Sequence, residues 1–594
     1  MLRAIAHRGP DGSGTHLFPS GALLGHRRLA IVDLEGGKQP MLNADGTHGI
    51  TFNGEIYGYQ ALRKAHMDYP FQTTSDTEVM LAMYRARGPA FVEHLPGMFA
   101  FALWDDTRRR LLCARDRFGE KPFFYAFSSS GDFVFASEIK ALLASGLIEP
   151  RIRTHSVVHY LQRQYVHPHR TIYENVHVLP PGHVLLLENG RVSVQPYWQL
   201  PATRDEISFE AAVEEFRRLM HQAVSRQLIA DVPVGAFLSG GLDSTTIVHA
   251  ASRVVPDIMS FSFDFLGTHS EIQYARDSAR KFGTTHIELA ADTVDVPAML
   301  QELCSVYDEP FADSSAIPTY LLAREARRHV KVALTGDAGD ELLGGYAWYK
   351  PLAWMENRNV TFASWQVARI VSRIARSLSL RSAVRAEERA LGLGAVVRGI
   401  PVLEAHKRQL EFFPDSMLGE LGFSPEVIRG AQEADAQAGA STLDACMRYD
   451  ISDYMPGDIL TKVDRAAMAH GLELRAPFLD VELAQFCISL PSRMKVDTDR
   501  DKILLRAAFQ DAWPPSVRSR RKQGFGAPVA EWLREPGVVA LIERHLLGKN
   551  AALGALVPQD RLRALVARAS SYQVWALLAL GIWCDAHGGE LAAA

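Results

Sequence analysis

The stretch VGAFLSGGLDSTTIVHA, residues 234–250, decides how this chain is read. Val234 to Leu238 form a short apolar run suited to a buried strand, and Thr246, Ile247 and Val248 begin a helix, so the small polar residues fall on the turn between them. Glycines there let the backbone approach a ligand closely. The helix behind presents unpaired N–H groups and a positive dipole end to an anion. The turn reads as a phosphate or pyrophosphate cradle, but not of the Walker kind, because no Lys follows the glycines.

Outward from this turn, strands and helices alternate. Ser208 opens a helix with Phe209, Val213, Phe216, Met220 and Val224 on one face. Strands follow at Met259–Phe263, His286–Leu289 and Val330–Leu334, with a helix over Glu271–Phe282. This is the α/β pattern of a doubly wound parallel sheet, in which ligands sit beyond the carboxyl ends of the strands. Ser262-Phe263 closes one such strand, where the backbone can hold a purine edge. TGDAGDELLGGY, residues 335–346, follows another. Asp337, Asp340 and Glu341 crowd three carboxylates into a few residues, and Mg²⁺ held with pyrophosphate oxygens is their natural partner. The polar run YDEPFADSS, 307–315, can cap a helix over Ala316–Ala326 as readily as bind a ligand. From about 351 the pattern is mainly helical and carries LTKVDR (460–465), ELRAPFLD (473–480) and RKQGFGAP (521–528). Lys522 would place a cation beside a developing phosphorane or tetrahedral adduct.

Residues 1 to about 198 differ. Short β-type runs broken by Asn-Gly and Asp-Asp-Thr turns predict hairpins in a layered, largely antiparallel domain. One helix interrupts them, SDTEVMLAMYRARG, with Ser75 and Glu78 placed for a capping box and Gly88 for its end. Four polar clusters stand out: HRGPD (7–11), GHRRLAIVD (25–33), NGEIY (53–57) and SDTE (75–78). An Arg and an Asp can hold the carboxylate and ammonium of an amino acid, and Asn and Gly N–H groups can stabilise an oxyanion.

The heptad LSGGLDS resembles the loop of ATP pyrophosphatases. The order and spacing of the four clusters resemble the glutaminase domain of class II amidotransferases, an N-terminal nucleophile hydrolase fold. Over essentially its whole length the chain resembles the glutamine-hydrolysing asparagine synthetases, with 1–198 as glutaminase and 205–594 as synthetase domain. The resemblance implies that aspartate and ATP give β-aspartyl-AMP, which ammonia released from glutamine reaches through a tunnel and converts to asparagine. It implies glutamine contacts at Arg28, Leu29, Ala30, Ile31, Val32, Asn53, Gly54, Glu55 and Asp76, with Asn53 and Gly54 as oxyanion donors. ATP contacts fall on Leu238, Ser239, Gly240, Gly241, Asp243, Ser244, Phe263, Thr335 and Gly336, and Mg²⁺ on Asp243 and Asp340. Asp337 then supports adenylate formation and Lys522 neutralises the transition state. GMFAF (97–101), ARDR (114–117), KP (121–122) and FASE (135–138) are read as core and interdomain structure.

One departure matters. The family's nucleophile is a cysteine directly after the initiator Met, whereas here Leu2 stands second and the first cysteine is Cys113, in an apolar run. Either the start is misassigned, with Met1–Ala6 the end of a helix that precedes HRGPD, or the nucleophile is lost, as in the β-lactam and carbapenam synthetase relatives. A lactam-forming cyclase, another carboxylate acceptor and a non-enzymatic scaffold are the rival readings. The resemblance leaves oligomeric state open, homodimers being known among relatives.

A chain of 594 residues is too long for one core. Its net charge of −4 gives no reason to expect nucleic acid or an anionic membrane. Val574–Cys584, the longest uncharged apolar stretch near the C-terminus, is too short for a membrane span, and Met1-Leu2-Arg3 leads into polar residues unlike a signal peptide. Five scattered cysteines, with no CxxC, suggest inert thiols and a cytoplasmic location.

Overall fold

The run MFAFALWD, residues 98–105, is apolar at its first seven positions, and such a strand has to be covered on both faces. The computed structural model describes residues 1–204, 206–265, 272–291, 294–356, 401–431, 441–520 and 527–587. In the strand Met98–Asp105, Phe99, Phe101 and Leu103 pack with Val79, Met80 and Met83 of the helix Asp76–Arg87. Ala100 and Ala102 face the other way, onto Phe123, Leu185 and the partly buried Tyr125 and Phe135. A helix thus covers one side of this sheet and a second sheet the other.

The first sheet is antiparallel, with strands in the order Arg191–Pro196, His183–Glu188, Arg110–Arg115, Met98–Asp105, His48–Glu55 and Met41–Leu42. Against it lie the three strands Phe133–Ala136, Phe124–Phe127 and Val176–Val178, and the hairpin Gly12–Leu17 with Leu23–Arg28. This is the layered antiparallel unit expected of the first third.

Ser208 caps the helix Phe209–Gln227 by accepting from the Ala211 N–H. Five parallel strands come next, in the order Thr285–Ala291, Met259–Phe265, Val234–Phe237, Val332–Leu334 and Glu473–Arg475. The chain winds outward on one side of Val234–Phe237 and then returns to the other. The switch point therefore lies between Val234–Phe237 and Val332–Leu334, and SGGLDS and TGDAGDE are the loops that leave it.

Several local readings change. The helix after the Gly-rich turn is Leu242–Ser252, beginning four residues before Thr246 because Gly241 takes the extended cap position and its carbonyl accepts from the Thr245 N–H. Asp243 and Ser244 thus sit in a helical first turn. The capping box at Ser75 is not closed: Ser75 Oγ accepts from the Thr77 N–H, while Glu78 is spent on the N–H groups of Gln72 and Thr73. Met1–Ala6 is a series of turns with Ala4 N–H donating to the Met1 carbonyl and Ala6 N–H to that of Arg3, rather than an α-helix. Glu473–Arg475, in a region read as helical, is an edge strand. Val574–Cys584 lies within the helix Ser571–Ala586, whose Trp575, Leu578 and Trp583 are buried in the protein core. Among the described residues no helix is long and apolar enough to cross a membrane.

The two halves share that core, where Tyr160 and Tyr173 pack with Leu303, Ile317 and Trp583. Buried charge also crosses between them. Arg8 of HRGPD donates to Asp464 (2.8 Å) and Glu138 (3.1 Å), and Glu138 pairs with Arg465 (3.0 Å); at the surface, the partly exposed Asp11 pairs with Lys331 (2.8 Å). Arg475, wholly buried, donates to Glu55 (3.1 Å), Glu473 (2.8 Å) and the carbonyls of Gln227 and Ile229. Removing one partner of such a group leaves uncompensated charge in a dry interior. Arg475→Met is expected to cost about 3–5 kcal/mol in urea unfolding. A change below about 1 kcal/mol, the range of exposed ion pairs, would contradict that account.

Candidate functional site

The first candidate is a cavity of about 290 Å³ between the antiparallel layers. Of the nine residues expected to hold glutamine, Arg28, Leu29, Ile31, Val32, Asn53, Gly54, Glu55 and Asp76 line it. Ala30 does not; its N–H donates to Asp11 at 2.9 Å. Arg28 is anchored by donating to the carbonyls of Leu34 (2.7 Å), Asp33 (2.6 Å) and Val32 (3.2 Å). Gly54 has φ +144°, and a Cβ there would fall on the Met98 carbonyl oxygen, so only glycine fits. Asn53 Nδ2 is buried with no hydrogen-bond partner among the described residues, an uncommon state for an amide unless a ligand completes it.

The carboxyls of Glu55 and Asp76 adjoin on the cavity wall. Burial, and then the Asp76 charge, raise Glu55 well above the usual carboxylate range despite Arg475. Burial pushes Asp76 up to about 6, against the pull of the Ile56 and Thr77 N–H groups that favour its ionised form. Among the described residues no thiol lines the cavity. Cys113 is buried among apolar side chains, and burial pushes its thiol far up.

The second candidate is the switch point. Ser244 Oγ accepts from the Ser239 N–H (3.2 Å) and meets Ser239 Oγ at 3.1 Å, which folds the Gly-rich turn back onto its helix. Gly240 has φ +71° and would bring a Cβ within 2.6 Å of Tyr274 Cβ. Gly336 lies so close to the helix start that a Cβ would stand 2.9 Å from the Ser244 nitrogen. The two loops thus form one surface. Leu238 is buried and offers only backbone, and Phe263 is half-buried on its strand. Thr335 N–H donates to the Arg475 carbonyl (2.8 Å), fixing the second loop to the edge strand. Ala338 holds φ +68°, a strained value for a residue with a side chain.

Burial raises Asp337, opposed in part by the Thr335 hydroxyl and Lys462. Asp243 and Asp340, the expected metal ligands, both pair with Lys502, the latter at 2.6 Å. Lys522 lies outside the described residues. Sequence reading singled out neither Lys502, which sits in the charged run DTDRDK and looks solvated, nor Asp458. Asp458 is carried on a π-helical turn, Met455–Leu460, and is pushed up to about 8 by burial and by Asp313. Near it Lys462 donates to Asp313 (2.7 Å), and Tyr346 OH donates to Glu341 (2.7 Å), whose carboxyl burial pushes up to about 7. A cavity of about 20 Å³ reaches from Thr335 and Asp337 to Lys121 and Asp464, and shares Met468 with the larger cavity.

Known proteins carry the same pair of units. Residues 1–198 match the family model of the glutamine amidotransferase domain, and residues 215–585, more than half of the chain, match that of asparagine synthase. Asparagine synthetase [glutamine-hydrolyzing] 1 of Bacillus subtilis (strain 168) is 34% identical over 546 residues, covering 90% of this chain and 84% of that one. Asparagine synthetase [glutamine-hydrolyzing] 3 of the same strain is 30% identical, covering 90% and 86%. Asparagine synthetase B [glutamine-hydrolyzing] of Escherichia coli (strain K12) is 33% identical over 371 residues, covering 59% and 61%. With both units matched in the order in which the cavity and the switch point occur along it, the chain belongs to the family of glutamine-hydrolysing asparagine synthetases.

Proposed function

We propose that the chain converts aspartate to asparagine with ATP, through a β-aspartyl-AMP intermediate, with residues 1–198 as glutaminase and 205–594 as synthetase. The observation that carries this reading is the placing of two amino-acid-sized chemistries on one frame: a cavity with an unpaired buried amide, and a switch point with two loops and convergent carboxylates. In the cavity Arg28 takes the glutamine carboxylate, Asp76 and Glu55 its ammonium, and Asn53 and Gly54 the oxyanion. The walls from Leu29 to Val32 supply backbone groups.

At the switch point Leu238 to Ser244, Phe263, Thr335 and Gly336 hold ATP. Two carboxylates converging on one cation suit Mg²⁺, so Asp243 and Asp340 are its ligands; bound there it would neutralise the pyrophosphate leaving group. Asp337 orients the aspartyl carboxylate against the α-phosphate, and Lys522 balances the developing charge. Glu341 and Asp458, two carboxyls that feel each other's charge, would suit an acceptor with an ammonium group. The cavity at Met468 gives ammonia a course between the sites. Five free thiols agree with a reducing cytoplasm, and the substrates are small molecules.

This chain is expected to make asparagine from aspartate, ATP and ammonium, with AMP and pyrophosphate released. Asparagine formed from glutamine as well would show the first half acting as glutaminase. Its absence with either donor would overturn the reading. Asp337→Ala is expected to slow the ammonium reaction by about 10²-fold or more.

The Asp76 carboxyl supplies a separate test. A folded pKa of about 6, above the unfolded value, means that its contribution to stability is full below the unfolded pKa and is lost as pH rises through about 6. Between pH 4 and 7 the urea midpoint of the wild type should therefore fall relative to that of Asp76→Asn as pH rises. An unchanged slope in the variant would show that Asp76 is ionised throughout.

A further inference from the structure

Lys502 is held in place from every side. Its φ is +50°, it opens the helix Ile503–Phe509, and Ile503 N–H donates to the Lys495 carbonyl at 2.8 Å. Its neighbour Asp501 is clamped by Arg506 (2.6 Å) and Lys350 (3.0 Å). The Lys502 side chain is only 3% exposed. Its ammonium bonds both Asp243, in the first turn after SGGLDS, and Asp340, in TGDAGDE. Room for this has been left by glycine. A Cβ on Gly345 would overlap the Lys502 stem and the Asp340 carboxylate, and one on Gly339 would lie 2.6 Å from Asp243 Oδ1.

A lysine ammonium is a compact point charge with donors that can turn to any side. Here it occupies the place between two carboxylates where a divalent cation is needed, and the two cations cannot share it. We propose that Lys502 is a built-in counterion that holds Asp243 and Asp340 together when no metal is bound and competes with the divalent cation for them. The proposal rests on the reading of Asp243 and Asp340 as metal ligands. On displacement, the ammonium stays tethered beside the Gly-rich turn, where it would be free to meet an anion held there. Lys502 thereby couples metal entry to nucleotide entry, since the charge released from the carboxylates is best satisfied by an anion arriving with the metal.

The test uses Mn²⁺ alone as the probe, with the full chain and no nucleotide. Free Mn²⁺ is read by its electron paramagnetic resonance signal, and thermal unfolding is followed alongside. Lys502→Gln is expected to bind Mn²⁺ about tenfold more tightly than the wild type, because the competing charge is gone. Lys502→Arg, which keeps the charge, should stay near the wild type. The Gln variant should also melt lower than the wild type and regain its melting temperature in millimolar Mn²⁺, which stabilises the folded state by binding it. Equal or weaker Mn²⁺ binding by Lys502→Gln, or a loss of folding that Mn²⁺ does not restore, would overturn the proposal. Asp340→Asn separates the two levels. If it binds Mn²⁺ as well as the wild type, the assignment of the metal ligands itself falls; if it loses Mn²⁺ while Lys502→Gln is unchanged, only the counterion role falls.

Discussion

Arg475 is the residue on which the arrangement of the two sites depends. Its guanidinium, out of reach of water, is satisfied by Glu55 from the cavity wall, Glu473 from its own strand and the carbonyls of Gln227 and Ile229. Its own carbonyl accepts from Thr335, at the start of the loop that carries Asp337 and Asp340. One edge-strand residue therefore touches the wall of one site and the first residue of the other. A buried guanidinium is stable only while its whole partner set is in place, so the spacing of the two sites is set by a group that tolerates little displacement.

A second constraint is the density of negative charge. Asp243, Asp337, Asp340 and Glu341 lie on two loop-to-helix turns that pack against each other, and Asp313 and Asp458 border them. The protein meets this with two buried lysines, Lys462 beside Asp313 and Lys502 between Asp243 and Asp340. In both, burial alone would lower the ammonium pKa, but the carboxylates outweigh it and hold it raised. Asp337, Glu341 and Asp458 have no such full compensation and are held above the usual carboxylate range. Groups left in that condition in a cleft mark a place made ready for cations and for proton transfer.

Much of this was legible in the sequence where local chemistry decides structure. The Gly-rich turn, the caps at Ser208 and Gly88, and the alternation of strands and helices fold as their residues direct. What was not legible depends on distant partners. Glu473–Arg475 is too short to carry a periodic signal and is a strand only because Val332–Leu334 lies beside it. Glu78 was drawn from its capping role by N–H groups of the preceding loop. Lys502 sits in a charged run that reads as solvated, and Asp458 depends on a π turn that no residue pattern announces. The polar cluster HRGPD stood out in the sequence with no role assigned; its Arg8 and Asp11 join the two halves, and Arg8 also lines the cavity.

The measurement that tests the central claim most directly is exchange of labelled pyrophosphate into ATP, run without glutamine or ammonium. If the switch point activates aspartate as an adenylate, exchange should require both L-aspartate and a divalent cation, and proceed with no nitrogen donor present. Exchange that ignores aspartate, or that responds only to a different carboxylic acid, would contradict the account and move the acceptor away from aspartate.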